Sequence, residues 1–251
     1  MEANDYIFGI RAVIEAIEAG KEIDKILVKK DMQGELSSEL FAAIRSNGLY
    51  SQRVPVERLN KITRKNHQGV IAILSAVTYH SLDNVVPQLY EEGKLPFIVV
   101  LDGITDVRNF GAIARTCECA GVDAIVIPER GSVSVGGDAV KTSAGALLHI
   151  PVCRERNIPG ALRFLHDNGY MIVAASEKAD INYTQANYTD PVAIVMGSED
   201  TGISPESLKQ CDTFVSIPQF GHIGSLNVSV AAGIIMYEVV RQRLNADMEV
   251  I

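Results

Sequence analysis

A chain of 251 residues with 47% hydrophobic content has room for one large domain or two small ones, each with a real core. Its 23 basic and 31 acidic residues leave a net charge of −8, which excludes a protein that coats nucleic acid by bulk electrostatics and confines any RNA contact to a local patch. No stretch approaches the roughly 18 apolar residues of a membrane span, and the start at Met1 lacks a basic segment followed by an apolar one, so a cytoplasmic protein without a membrane partner is expected.

In chain order, GIRAVIEAIEAG has the apolar period of a helix and stops at Gly20, KILVKK reads as a strand, and LSSELFAAIRSNG as a helix ending at Gly48. A strand from Tyr50 to Val54, a short helix started by Pro55, and a strand GVIAILSAV after the turn RKNHQG complete a small α/β domain over residues 1–79. Within it Arg53, Arg58, Lys61, Arg64 and Lys65 against Glu57 give a local charge of +4 on an acidic chain. Arg58, Lys61, Arg64 and Lys65 are therefore candidates for RNA contact, the alternative being a merely solvated basic face. Residues 80–96 are more polar, carry Pro87, Gly93 and Pro96, and predict a linker holding one helix from Asp83 to Glu92.

From residue 97 onward the pattern is βαβ. PFIVVLDG, VDAIVIP, YMIVAAS, PVAIVMGSE and TFVSIP read as buried strands, NFGAIARTCECAG and ALRFLHDNG as helices. Continuous apolar strands separated by helices call for a parallel sheet covered on both faces, in which ligands bind at the carboxyl ends of strands. That rule singles out Asp102 to Asn109, Gly197 to Gly202 and Gln219 to Asn227, each just past a strand. The last of these runs into a helix that is apolar nearly all round, with Leu226, Val230, Ile234 and Tyr237 on one side and Val228, Ala231, Ile235 and Val239 on another. Such a helix needs cover on two sides, by its own domain and by a second copy of the chain. Ser225 stands where its N-cap is expected. A buried C-terminal helix after a turn would explain the apolar residues but not the polar Ser225 and Asn227 at its mouth.

Other chemistries fail on spacing. After the strand PFIVVLDG there is no GxGxxG, GGDAVKTSAG has Val140 where a phosphate loop requires glycine, and Ile223 replaces the first glycine of a GxSxG frame around Ser225. Cys117, Cys119, Cys153 and Cys211 show no metal spacing and are expected to be reduced core thiols; no metal is expected.

LDGITDVRNFGAIARTCECAG, IVMGSEDTGIS and IPQFGHIGSLNVSVAAGIIMYE resemble, in order and spacing, the three signature motifs of the SpoU (TrmH-like) family of RNA ribose 2′-O-methyltransferases. The resemblance covers residues 97 to 244, and VKTSAGALLHIPV between the first two motifs shares it. The first eighty residues, with GIRAV and NHQGVIA, resemble the small ribosomal-protein-like substrate-binding domain of bacterial members that methylate a guanosine of 23S ribosomal RNA. The resemblance implies a parallel sheet whose C-terminal part is threaded as a deep trefoil knot, a homodimer, and transfer of a methyl group from S-adenosylmethionine to a ribose 2′-hydroxyl. It places cofactor contacts on Gly197, Ile217 and Leu226, and catalytic groups on Asn109, Arg115, Glu199, Ser225 and Asn227. One departure is Val107, where the first motif commonly has proline after its second aspartate; it is expected to loosen the loop without removing a reacting group.

The residue chemistry agrees with in-line displacement, which requires alignment and help with the hydroxyl proton. Arg115, read as a buried cation beside Gly111, Ala112 and Ala114, wants an anion, either an RNA phosphate or Glu199. A guanidinium does not deprotonate at neutral pH, so its expected role is orientation and charge stabilisation, with the phosphate or a water taking the proton. Glu199 needs Arg115 or backbone donors as partners. Asn109 is a cap for the first-motif helix, and Asn227, in the first turn of the last helix, reaches back to the loop. His67 and His222 are read as exposed loop residues that are candidates for RNA contact, but neither is counted among the site residues. Ribosomal RNA is the leading substrate and transfer RNA the second; an idle RNA-binding module and a protein-interaction role are the other classes.

Overall fold

The alternation of helical and strand periods in the first eighty residues produces β1 (Tyr6–Phe8), α1 (Ile10–Glu18), β2 (Ile23–Lys29), α2 (Glu35–Ser46), β3 (Ser51–Val54), α3 (Val56–Ile62) and β4 (Val70–Leu74). The computed structural model describes residues 6–249 and divides into two compact units, one running to Thr78 and including Ser134–Asp138, the other formed by Tyr79–Val133 and the chain from Ala139. In the first unit the sheet order is β1-β4-β2-β3, with β2 and β3 parallel and the other pairs antiparallel. Successive side chains of a strand point to opposite faces. Ile26 and Val28 accordingly pack against Val13, Ile14 and Ile17 of α1 and Leu40 and Ile44 of α2, while Leu27 packs with Leu59 of α3 on the other face. Pro55 leads into α3 as the sequence suggests, and Gly20, with φ 66°, lets the chain turn away from α1.

Further along come β5 (Tyr79–His80), α4 (Leu82–Glu91), β6 (Phe97–Asp102), α5 (Val107–Cys119), β7 (Ala124–Pro128), α6 (Gly137–Thr142), β8 (Val152–Glu155) and α7 (Ile158–Asp167). They are followed by β9 (Met171–Ala175), β10 (Ile181–Asn182), β11 (Val192–Gly197), α8 (Pro205–Leu208), β12 (Thr213–Ser216) and α9 (Val228–Glu249). The second unit is built on an eight-stranded sheet of order β10-β12-β9-β11-β6-β7-β8-β5, every pair parallel. Its central strands are buried on both faces, as continuous apolar runs require. Residues 80–96 carry α4, whose Leu82, Val85, Val86 and Leu89 recur at helical spacing and are buried in this unit's core with Ile98 and Val100.

The strand order fixes where a ligand can sit. From β6 the chain builds outward through β7 and β8, then crosses to the other side of β6, so that β11 lies beside it in register with Gly197 opposite Asp102. A reversal of this kind opens a crevice at the carboxyl ends of the strands. Two motif loops leave the sheet from these neighbouring ends.

Candidate active site

Gly197 closes β11 at a point where its own following loop doubles back: a Cβ there would collide with the backbone of Gly202 and Ile203. The return is fastened by paired bonds, Ser198 N–H to the Gly202 carbonyl at 3.1 Å and Gly202 N–H to the Ser198 carbonyl at 2.9 Å. Asp102 at the end of β6 accepts from Ser204 N–H at 2.9 Å, holding the far end of the same loop. Glu199 is thereby carried to the tip of a short, pinned turn and stays exposed.

The first-motif helix is anchored just as locally. Asp106 accepts from the N–H groups of Arg108 and Asn109, both at 2.9 Å, and caps α5 with Val107 as its first residue. The capping bonds are made without proline, with Val107 at the first helical position. Asn109 is therefore capped rather than the cap, and its side chain is free for other use. Gly111 one turn on lets Thr142 of α6 pack against the helix backbone, where a side chain would clash, and the Thr142 hydroxyl donates to the Val107 carbonyl at 3.2 Å.

At the mouth of α9 the expected cap is corrected. The helix begins at Val228; the Asn227 carbonyl accepts from Val230 and Ala231 N–H, and its side-chain oxygen accepts from Ser229 N–H at 3.0 Å. Asn227, not Ser225, is the N-cap. Its amide nitrogen donates to Asn109 Oδ1 at 2.9 Å and to Glu199 Oε1 at 2.6 Å, and Val228 N–H reaches the same carboxylate oxygen at 3.4 Å. Three sequence-predicted residues from three separate motifs thus meet in one polar cluster, and Glu199 has found an amide and a backbone donor.

Arg115 is not part of that cluster. It lies exposed on α5, 120° around the helix from Asn109 at 100° per residue, and among the described residues it is paired with no carboxylate. The expected burial fails because the small residues before it face the helix packing and Arg115 does not. Beside the cluster opens a cavity of about 400 Å³, lined by Gly197, Ile217, Leu226, Ser225, Glu199 and Asn227 together with Ala175, Ser176 and Glu177 from the end of β9. The last three were missed in the sequence, although the strand-end rule that selected the other loops applies equally after YMIVAAS. The volume falls within the roughly 300–1,000 Å³ of small-molecule sites. Gly197 and the exposed backbone of residues 219–226 suit a ligand gripped by main-chain groups, with Ile217, Leu226 and Val215 as apolar walls.

Nucleophilic thiol chemistry has no support. Burial pushes the Cys211 thiol up to about 12, with Asp212 and Asp102 adding to it, and burial pushes Cys153 up to about 12 with Glu155 adding. Cys119 is exposed, contrary to the expectation of a core thiol, because it sits two residues and hence 200° round the helix from buried Cys117. Among the described residues no group of three or more His, Cys, Asp or Glu could hold a metal ion, and no helix is long and apolar enough to cross a membrane.

In the first unit Arg58, Lys61, Arg64 and Lys65 are all exposed, on α3 and the segment after it. His67 departs from expectation: it is buried, accepting Gly69 N–H at Nδ1 and facing Asn60 Oδ1 from Nε2, each at 3.0 Å. A turn-forming sequence concealed a ring that braces its own loop. His222 is exposed.

Comparison with known proteins gives the arrangement its context. A model described as the SpoU rRNA Methylase family matches residues 96–237, and one described as RNA 2′-O ribose methyltransferase substrate binding matches residues 6–80. A Staphylococcus saprophyticus protein assigned to the TrmH family of tRNA/rRNA methyltransferases is 38% identical over 237 residues, 94% of this chain and 95% of its own. Among solved structures, the S-adenosylmethionine-bound rRNA methyltransferase of Sinorhizobium meliloti is 27% identical with a TM-score of 0.60, covering 94% of this chain and 86% of that one. The TrmH/SpoU tRNA modifying enzyme of A. aeolicus is 32% identical with a TM-score of 0.56, over 62% of this chain and 79% of that one.

Proposed function

This chain belongs to the SpoU rRNA methylase family and is an RNA methyltransferase; we propose that it methylates the ribose 2′-hydroxyl of a guanosine in 23S ribosomal RNA, with S-adenosylmethionine bound in the cavity beside Gly197. The observation that carries the reading is the Asn109–Asn227–Glu199 cluster at the rim of that cavity, where a hydroxyl nucleophile and a methyl donor can be brought into line. When bound, S-adenosylmethionine supplies an electrophilic methyl on a sulfonium.

The chain's own residues supply alignment and polarity. Gly197, Ile217 and Leu226 hold the cofactor through backbone approach and apolar walls. Ser225, Asn227, Asn109 and Glu199 orient the ribose. Arg115, exposed and without a carboxylate partner among the described residues, is available to an RNA phosphate through its planar fork and stabilises charge there. The hydroxyl proton released on methyl transfer would pass to a phosphate oxygen of the RNA or to water. Arg58, Lys61, Arg64 and Lys65 dock the RNA.

Ribosomal RNA is favoured over transfer RNA by extent of match: the rRNA-acting relative aligns across both units, whereas the tRNA-acting one covers 62% of this chain. A homodimer through α9 and a C-terminal trefoil knot belong to the same proposal, supported by the family membership and by the apolar residues that α9 leaves exposed. The test is methylation in vitro of 23S ribosomal RNA and of bulk transfer RNA with labelled S-adenosylmethionine, followed by mapping of ribose methylation. Label at one guanosine of 23S RNA is the expected result. Label confined to transfer RNA selects the second substrate, and label on a base refutes ribose chemistry.

A further inference from the structure

We propose that Ser229, which lies within the third motif stretch but has no role assigned there, is a positioning residue whose hydroxyl reinforces the Asn227 orientation set by its own backbone N–H and by Glu199, so that Asn109 presents its amide NH2, and not its carbonyl, to the RNA. The argument rests on the proposed function only in taking Asn109 to face substrate. The direction itself follows from which partners can donate. A backbone N–H only donates, so the Asn227 atom 3.0 Å from Ser229 N must be oxygen. An ionised carboxylate only accepts, so the Asn227 atom 2.6 Å from Glu199 Oε1 must be nitrogen. Two independent constraints give the same orientation.

The Ser229 hydroxyl, 2.5 Å from the same Asn227 oxygen, must donate its single hydrogen there, since an amide oxygen has none to give. With that oxygen held twice, both hydrogens of the Asn227 amide are committed, one to Glu199 and one to the Asn109 atom 2.9 Å away. That atom therefore accepts and is oxygen. The Asn109 NH2 is left without a partner among the described residues, on a half-buried side chain bonded to Asn227, which itself lines the cavity. A donor so placed recognises an acceptor oxygen of the RNA backbone, and it would repel the hydrogen of the attacking hydroxyl.

The simpler account is that Ser229 only helps to cap α9. The two separate in kinetics. Single-turnover methylation of the RNA substrate, with RNA and S-adenosylmethionine affinities measured in parallel, is compared for parent, Ser229→Ala, Ser229→Thr, Asn109→Ala, Asn109→Asp and the double variant Ser229→Ala/Asn109→Ala. Loss of one hydrogen bond to the amide should slow Ser229→Ala about five- to tenfold with both affinities unchanged, and Ser229→Thr should recover the rate. In the Asn109→Ala background the Ser229→Ala change should have no further effect. Asn109→Asp, which offers only acceptors, should be as slow as Asn109→Ala. An equal fold loss in both backgrounds, a parent rate in Ser229→Ala, or an active Asn109→Asp overturns the inference while leaving the methyltransferase reading intact. A parent that methylates no RNA overturns both.

Discussion

Gly197 shows how one missing side chain sets the geometry of the site. The loop that carries Glu199 returns so closely that a Cβ would occupy the position of the Gly202–Ile203 peptide, and that contact is backbone, which has no flexible end to move aside. Gly202 poses the opposite problem: nothing lies near its Cβ, but its φ of 68° is a left-handed conformation that other residues strain to adopt. Gly197→Ala should therefore force the loop off β11 at a cost of about 1–3 kcal/mol. It should also weaken S-adenosylmethionine binding by more than tenfold, since the loop walls the cavity. Gly202→Ala should cost about 1–2 kcal/mol, the usual price of left-handed backbone, with a smaller effect on the cofactor. Thermal melts by circular dichroism and calorimetric titration measure the two effects. An alanine at 197 that binds the cofactor as the parent does would show that the loop is not what shapes the site.

Among elements, α9 is fixed at its far end by Arg243. The guanidinium donates to the carbonyls of Leu95 at 2.7 Å, Pro96 at 3.1 Å, Tyr188 at 3.2 Å and Asp190 at 3.0 Å, and its carbon lies 5.5 Å from the centre of the Phe97 ring. It thus ties the helix to the start of β6 and to the segment before β11, the two strands whose other ends carry the motif loops. Burial lowers the pKa of this arginine, with Asp123 and Asp190 opposing the shift. A lysine cannot reproduce the fork, so Arg243→Lys should lower stability by about 2 kcal/mol in denaturant unfolding while cofactor affinity holds. Parent-like stability would mean the carbonyls are equally well served by water. Arg243 is invisible in the sequence because its acceptors lie 50 to 150 positions away and are main-chain groups. The central strands and α1, α2, α5 and α7 were legible, since their apolar periods are long. β1, β5 and β10, at two or three residues each, are shorter than any period can register. The cap of α9 was misplaced at Ser225 for a different reason: serine and asparagine cap equally well, and the choice was made by Ser229 N–H and Glu199, which belong to the tertiary structure. The motif residues were legible, but not that Arg115 and Ser225 stand apart from the cluster of Asn109, Glu199 and Asn227.

At the scale of the whole molecule, α9 presents two apolar faces and only one is covered by its own chain. Ala232, Ile235, Met236 and Val239 are buried, whereas Val230, Tyr237 and Leu244 are 50%, 52% and 58% exposed. These three are seven residues apart, so they fall on one line along the helix with a drift of about 20° per step. A stripe of this length is costly to leave in water, and in the proposed dimer two copies bury it against each other, the same patch on both making an isologous contact. Tyr237 stands at the middle of the stripe, where aromatic residues contribute most to an interface. Tyr237→Glu should place two like charges against one another there and raise the dimer dissociation constant by at least about tenfold, corresponding to 1.4 kcal/mol or more. Sedimentation velocity at micromolar concentration should show the parent as a dimer and the variant shifted to monomer, with circular dichroism unchanged. A monomeric parent would refute the proposed dimer, and a variant that sediments with the parent would place the subunit contact on another face.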